Sequence, residues 1–302
     1  MLRDFITFEI GLFFRPSLPL LNPNQSPVEN LNIKKRLRFN SLLARLYAVY
    51  GYLVTLAGAG YFIFFGLLLS MVGLLVRPLL GQRLALSFGR FGMHYLLRFF
   101  FKGLQASGVF HFDLKELDTL RDRRGIIIAP NHPCLMDALF VSSRLPNVVS
   151  VMKPALLKNP ILFGGAWLAG YIRSDSPISF IQQCRDSLDG GGQLLLFPEG
   201  TRSQNGRLNP FKGGIALVAR AANAPVQTVF IDANTNFLGK NWPLLKNPDF
   251  PLTYKVTLGK QLRILKGQDH RVFTAELENY FNAHFDKGRR DEQDSKTARG
   301  CK

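Results

Sequence analysis

Cysteine is nearly missing from this 302-residue chain: Cys134, Cys184 and Cys301 are the only three, widely spaced and odd in number. They make neither a disulfide framework nor a metal-ligand spacing, which fits a reducing compartment. No Gly-x-Ser-x-Gly elbow occurs, which argues against the serine hydrolases built on that turn. No internal repeat is apparent. A secretory signal is not expected, because Glu9, Pro16 and Pro19 lie in or beside the first apolar stretch. Acidic residues are scarce: 21 Asp and Glu stand against 38 Lys and Arg, a formal charge of +17. Such an excess points to an anionic partner, with nucleic acid and an anionic membrane surface as the candidates.

One segment decides between them. From Leu46 to Val76, about 31 residues, there is no charged side chain. About 20 apolar residues suffice to cross a bilayer, and a nucleic-acid-binding protein has no use for such a run. A membrane partner is therefore expected and nucleic acid is not. Lys34, Lys35, Arg36 and Arg38 precede the run, while Arg77, Arg83 and Arg90 follow it. Both flanks are thus drawn toward the cytoplasm, which favours a re-entrant hairpin bent near Gly58, Gly60 and Gly66 over a single span. The next segment, Gln82 to Lys102, reads as an amphipathic helix. Arg90, His94, Arg98 and Lys102 recur every four residues, while Leu84, Phe88, Phe91, Tyr95 and Phe99 occupy other faces. The basic stripe would reach lipid phosphates and the aromatics would sit among acyl chains.

From Phe110 the pattern alternates between strand and helix. Short apolar runs stand at Ile126–Ala129, Val148–Val151, Leu194–Phe197 and Val226–Ile231, with a later strand at Tyr254–Leu258. Helical stretches fall at Asp137–Arg144, Ile178–Leu188 and Gly214–Ala222, with a terminal helix at Arg271–Phe285. Buried runs separated by helices predict an α/β fold, a mostly parallel sheet flanked by helices, with an N-terminal membrane-associated helical segment. The expected organisation is a leader and basic juxtamembrane segment over 1–45 and membrane-embedded and interfacial helices over 46–104. An α/β domain follows over 105–286, and a charged, disordered tail over 287–302.

Two segments carry chemistry. Asn131-His132-Pro133-Cys134-Leu135-Met136-Asp137 follows the first run, with Pro133 suited to opening a helix. Asp137, about one helical turn later, can fix the His132 tautomer and stabilise the charged ring. His132 could then take a proton from a hydroxyl as that oxygen attacks a thioester. Phe197-Pro198-Glu199-Gly200-Thr201-Arg202 follows the Leu194 run and would emerge at the same sheet edge. Glu199 can hold the turn by accepting backbone or Arg hydrogen bonds, Gly200 lets backbone approach closely, and Arg202 offers a forked donor for phosphate. Cys134 reads as a small buried side chain and not a nucleophile.

These residues make the chain resemble the glycerophospholipid acyltransferase family, of the 1-acylglycerol-3-phosphate type. Its first motif, His, four variable residues and Asp, stands here as His132 to Asp137, preceded by Asn131. Its Phe-Pro-Glu-Gly-Thr-Arg motif is unbroken from Phe197 to Arg202, about 65 residues on. Lys153, in Val-Met-Lys-Pro-Ala-Leu-Leu, and Lys212, in Phe-Lys-Gly-Gly, match further family segments over about residues 105–265.

The resemblance implies transfer of an acyl group from acyl-CoA or acyl carrier protein to a lysophospholipid hydroxyl. His132 would be the general base and Asp137 its orienting carboxylate. Lys153, Glu199, Gly200, Thr201 and Arg202 would form the substrate site, with Asn131, Arg173 and Lys212 as secondary candidates. Neither cofactor nor metal is implied. A bacterial inner membrane, with the catalytic domain on the cytoplasmic face, is the expected setting. Two departures keep the acceptor open: Arg173 directly follows Gly170-Tyr171-Ile172, and Pro225-Val226-Gln227-Thr228-Val229 lacks a second proline. A non-glycerophosphate lipid, such as an aminolipid or glycolipid, is the alternative, and Asn234, Asn236 and Lys240 could then meet an unusual head group. Hydrolysis, or membrane binding without catalysis, would be the other classes.

Overall fold

The computed structural model describes residues 27–300, apart from 175, 205, 206, 244, 245 and 247; of the leader and juxtamembrane segment expected over 1–45, residues 1–26 lie outside the described residues. The backbone is described throughout this span, and side chains are described from Ser41 to Lys287 with a few exceptions. The chain divides into two units, 1–50 and 51–302. Of the first, the described part is the opening of helix α1, Pro27–Leu79. Within α1, Ser41–Leu79 is long and apolar enough to cross a membrane by length and composition.

The hairpin expected inside this apolar run does not form there. Helix α1 continues unbroken past Gly58, Gly60 and Gly66, and the chain turns at Leu80 and Gly81 before α2, Gln82–Ala106. A glycine weakens a helix without breaking it when neighbours pack against it. Here a side chain at Gly58 would meet Leu104, and one at Gly66 would stand 2.5 Å from Ile161. The Tyr61 hydroxyl donates to the Leu96 carbonyl, and its ring stacks with Phe100. Leu69, nearer the turn, approaches Gly92. The two helices are therefore antiparallel neighbours.

The basic stripe of α2 turns inward over its first half, contrary to expectation. Arg90 donates from Nε to the Ala169 carbonyl and from Nη1 to Asn147 Oδ1. His94 is buried, with Nδ1 3.1 Å from the Ser142 carbonyl oxygen. The last carbonyls of a helix need donors, and Arg90 supplies one to the helix α4, Pro160–Ala169. The outward face carries Leu84, Phe88, Phe91, Tyr95 and Phe99, all exposed.

The α/β domain holds a seven-stranded sheet in the order β1-β7-β6-β2-β5-β3-β4. Its strands are β1 Phe110–Asp113, β2 Ile126–Pro130, β3 Val148–Met152, β4 Ile172–Arg173, β5 Gln193–Leu195, β6 Val226–Ala233 and β7 Leu252–Leu262. Every neighbouring pair is parallel except β6 and β7. Strands β6, β2, β5, β3 and β4 thus share one carboxyl edge, and every residue of β2 is buried, as parallel strands covered on both faces require. One face packs on α5 (Pro177–Asp189), α6 (Gly214–Ala221) and α7 (His270–Gly300) through Ile127, Leu194, Ile215, Phe230, Phe273 and Phe281. On the other, Phe101, Phe112 and Tyr254 pack around Phe140 of α3, Asp137–Arg144.

Two further expectations change. The disordered tail over 287–302 is helical as far as Gly300, continuing α7, since Lys, Arg, Glu and Gln are all adequate helix formers. Pro133 does not open a helix: residues 131–136 form a turn, and α3 begins at Asp137 itself.

Helix α4 is seated by unusually close approach. Ser70 Oγ of α1 donates to the Pro160 carbonyl, 2.7 Å, and accepts from the Gly164 amide, 3.1 Å. A side chain at Gly164 would collide with the Ser70 backbone, so only glycine permits this contact. The Arg77 guanidinium caps the arrangement, lying 4.1 Å over the Trp167 ring and donating to its carbonyl.

Candidate active site

The residues singled out by sequence gather at the carboxyl edge of the sheet. His132 follows β2, Lys153 follows β3, Arg173 closes β4, and Phe197–Arg202 follows β5. Open α/β sheets bind ligands at this edge.

His132 Nδ1 lies 2.8 Å from Asp137 Oδ2. Asp137 is fully buried and His132 is 18% exposed, so one ring edge stays accessible while its partner does not. The same carboxylate accepts from the Cys134 amide, 2.8 Å, and from Cys134 Sγ, 2.9 Å. Burial pushes the Asp137 carboxyl up from its ordinary value, against the opposing pull of the His132 ring and the Cys134 donors. With the carboxylate ionised it can only accept, so Nδ1 would carry the proton and Nε2 would be left free to accept one. Phe197 stacks on the imidazole at 4.0 Å between ring centroids, which fixes its plane.

Cys134 is 1% exposed, and burial followed by the neighbouring Asp137 charge pushes its thiol well above the ordinary range. Thiolate is the reactive form. Cys134 is therefore expected to resist iodoacetamide at neutral pH in the folded protein and to react only on unfolding, and Cys134→Ser should keep most activity. Labelling followed by mass spectrometry checks this, and rapid modification of native Cys134 would contradict it.

Glu199 has an architectural position. It is 1% exposed. Its Oε1 accepts from the His132 amide and its Oε2 from the Asn209 amide and side chain, while Ser203 Oγ reaches both oxygens, all within 2.9 Å. No Arg bond is among these partners. The Ser203 amide returns a bond to the His132 carbonyl, 2.7 Å, so the two motifs are laced together on both sides. The Asn131 side chain donates to the Ile231 carbonyl and accepts from the Ile231 amide, tying the end of β2 to β6.

Gly200 takes φ +66, a left-handed conformation, and the Lys212 side chain lies across it with Nζ 3.1 Å from where a Cβ would be. Arg202 is half-buried and donates from Nη1 to the carbonyls of Leu238, 2.9 Å, and Gly239, 3.0 Å. Thr201 is half-buried beside it. Lys153 is exposed at the tip of β3, and Arg173 is exposed opposite Met152 in the β3–β4 register. The structure thus brings together His132, Asp137, Glu199, Gly200, Arg202 and Lys212, and puts Lys153 and Arg173 on an adjoining strand pair. Of the loop residues considered for a head group, Asn234 is engaged elsewhere: it donates to the Pro251 carbonyl and accepts from the Thr253 amide. Ser203, Asn209, Leu238 and Gly239 went unnoticed in the sequence, because bonds within irregular loops leave no periodic trace. No group of three or more His, Cys, Asp or Glu side chains able to share a metal occurs among the described residues.

A buried carboxylate thus orients a histidine at the carboxyl edge of a parallel sheet, laced to a glycine turn and an arginine. Residues 111–232 match the family model Acyltransferase. A 1-acyl-sn-glycerol-3-phosphate acyltransferase of Limnanthes douglasii is 36% identical over 111 residues, covering 34% of this chain and 39% of that protein. The beta 1-acyl-sn-glycerol-3-phosphate acyltransferase of Homo sapiens is 27% identical over 137 residues, covering 42% and 48%. The chain thus spans less than half the length of these curated relatives. Among solved structures, the 1-acyl-sn-glycerophosphate (LPA) acyltransferase PlsC from Thermotoga maritima aligns with a TM-score of 0.53 at 18% identity, over 78% of this chain and 93% of that one. At that identity the likeness establishes the shared fold.

Proposed function

We propose that this protein moves a fatty acyl group from a thioester, acyl-CoA or acyl carrier protein, to the hydroxyl of a lysophospholipid of the 1-acylglycerol-3-phosphate kind. The observation that carries this reading is the 2.8 Å contact between His132 Nδ1 and the buried Asp137 carboxylate. With Nδ1 so held, Nε2 takes the proton from the acceptor hydroxyl as that oxygen attacks the thioester carbonyl. The tetrahedral adduct collapses, the C–S bond breaks, and the imidazolium returns its proton to the departing thiolate. No protein-bound acyl intermediate is needed, and the burial of Cys134 agrees with its having no nucleophilic part. Arg202 and Lys153 meet the acceptor phosphate, while Glu199 and Asn131 hold the surrounding turns.

The apolar helix and the exposed aromatic face of α2 support seating at a membrane, where a lysolipid resides. The cytoplasmic face suits either donor, both being cytoplasmic carriers; a bacterial inner membrane remains part of this proposal.

Purified protein in mixed micelles, given labelled acyl-CoA or acyl carrier protein and a panel of lysolipids, tests the reading by product mass. A labelled diacylglycerol phosphate is expected. Arg202→Ala should raise the acceptor KM about 10-fold or more while leaving the donor KM unchanged. Free fatty acid as the sole product would make the protein a hydrolase, and acylation confined to phosphate-free acceptors would assign it to the aminolipid or glycolipid alternative.

A further inference from the structure

The loop after β6 meets both motifs at a single backbone atom. The Leu238 carbonyl oxygen accepts from the Leu135 amide, 3.0 Å, inside the His132–Asp137 turn, and from Arg202 Nη1, 2.9 Å. The Gly239 carbonyl accepts a second bond from the same Nη1 at 3.0 Å. Both hydrogens of that nitrogen are thereby committed to one loop. The edge of the guanidinium able to offer a phosphate two parallel N–H groups is then the side formed by Nε and Nη2.

The loop holds these carbonyls at a conformational cost. Leu238 adopts φ +57, in the left-handed region that a leucine rarely enters. Asn223 and Asn241 share this region, but asparagine tolerates it and leucine does not. Backbone strain of this kind persists where surrounding structure imposes it, and it concentrates at functional sites. The imposing structure is visible. Phe237 is 5% exposed, packed between Phe110 and Trp242, and its amide donates to Thr235 Oγ1. Gly239 is buried so tightly that a Cβ there would stand 2.8 Å from the Asn236 carbonyl oxygen.

We infer that the Leu238–Gly239 backbone is a positioning element for the acceptor: it turns Arg202 so that its Nε/Nη2 edge faces the phosphate, and it locks that orientation to the His132 turn. This rests on the reading of Arg202 given above. Leu238 and Gly239 need not touch substrate; they act through the guanidinium they grip.

Steady-state kinetics on the full chain in micelles, with 1-acylglycerol-3-phosphate varied against saturating acyl donor and the reverse, tests it. Gly239→Ala forces the loop to shift, and Leu238→Val places a β-branched residue at positive φ. Each is expected to raise the acceptor KM about 5- to 20-fold, with kcat and donor KM within about 3-fold of the parent. Leu238→Asn suits left-handed backbone and should keep the acceptor KM near the parent value, a rescue that loss of packing alone would not give. In an Arg202→Lys background, Gly239→Ala should add less than about 2-fold, because the shared grip is already gone.

Should Arg202→Lys leave the acceptor KM unmoved, the phosphate role of Arg202 fails and this inference with it. If Arg202→Lys raises it while Gly239→Ala and Leu238→Val do not, the loop inference alone is overturned. Full multiplication of effects in the double variant, or a parallel loss of kcat, both KM values and thermal midpoint, would also overturn it. So would an acceptor KM for Leu238→Asn as high as that for Leu238→Val. If one of Leu238→Val and Gly239→Ala fails to fold, the other still decides: Leu238→Val read against Leu238→Asn, or Gly239→Ala read alone and in the Arg202→Lys background.

Discussion

Replacing His132 by alanine is expected to lower turnover by about 10³- to 10⁴-fold, the range associated with loss of a positioned general base. Fold stability should change little. The His132 side chain is 18% exposed, so water can enter the space the ring leaves. Asp137 keeps the two Cys134 donors, and its buried carboxylate is not left without partners. The main-chain bonds of residue 132, from its amide to Glu199 and from Ser203 to its carbonyl, do not depend on the ring. Turnover measured beside a thermal midpoint in detergent should therefore separate the two properties. Residual activity within 10-fold of the parent would remove His132 from the role of base.

The opposite pattern is expected at Glu199. Glu199→Gln keeps the shape and replaces one carboxylate oxygen by an amide nitrogen. Whichever way the amide turns, that nitrogen faces a backbone N–H, of His132 on one side or Asn209 on the other. A buried donor set against a donor loses its bond and remains desolvated. The expected cost is about 3 kcal/mol, near the loss on breaking a buried charged pair. Activity should fall together with stability, because the His132 amide is among the groups released. Thermal or denaturant unfolding in micelles provides the measurement. A Glu199→Gln protein of parental stability and altered acceptor KM would instead make Glu199 a substrate contact.

The contrast explains which parts of the site could be read from sequence. The placement of His132, Asp137 and Arg202 at one sheet edge was legible because each motif directly follows an apolar strand run. The helical stretch Asp137–Arg144 coincides with α3, since an apolar run, a turn and a periodic segment follow in order, although Pro133 lies in the turn and does not open it. Glu199 was read as a turn holder, but its partners Ser203 and Asn209 were invisible. The stripe on α2 was read with the correct period and the wrong surroundings: periodicity shows that Arg90 and His94 share a face, while the Ala169 and Ser142 carbonyls, distant in sequence, decide that this face is buried. The bend was placed among Gly58, Gly60 and Gly66 for a similar reason. Glycine marks either a flexible point or a close approach, and only Leu104 and Ile161 reveal the second at Gly58 and Gly66. Leu238 gave no sign at all, since nothing in a leucine announces left-handed backbone.

The two hydrogen bonds of Ser70 bear on any attempt to prepare a detergent-free version of this protein. Trimming the chain at Gly81 is the obvious route to solubility, because it discards the long apolar helix. It would also discard the hydroxyl that joins the Pro160 carbonyl to the Gly164 amide, and the Arg77 side chain that covers Trp167. The short helix so exposed follows Lys153 by only a few residues. A trimmed enzyme would therefore be compromised at its lysine-bearing rim before its histidine was disturbed. A soluble preparation is better sought by recolouring the outward positions Phe64, Leu67, Met71 and Leu75 with polar side chains, leaving the inward serine and glycines in place.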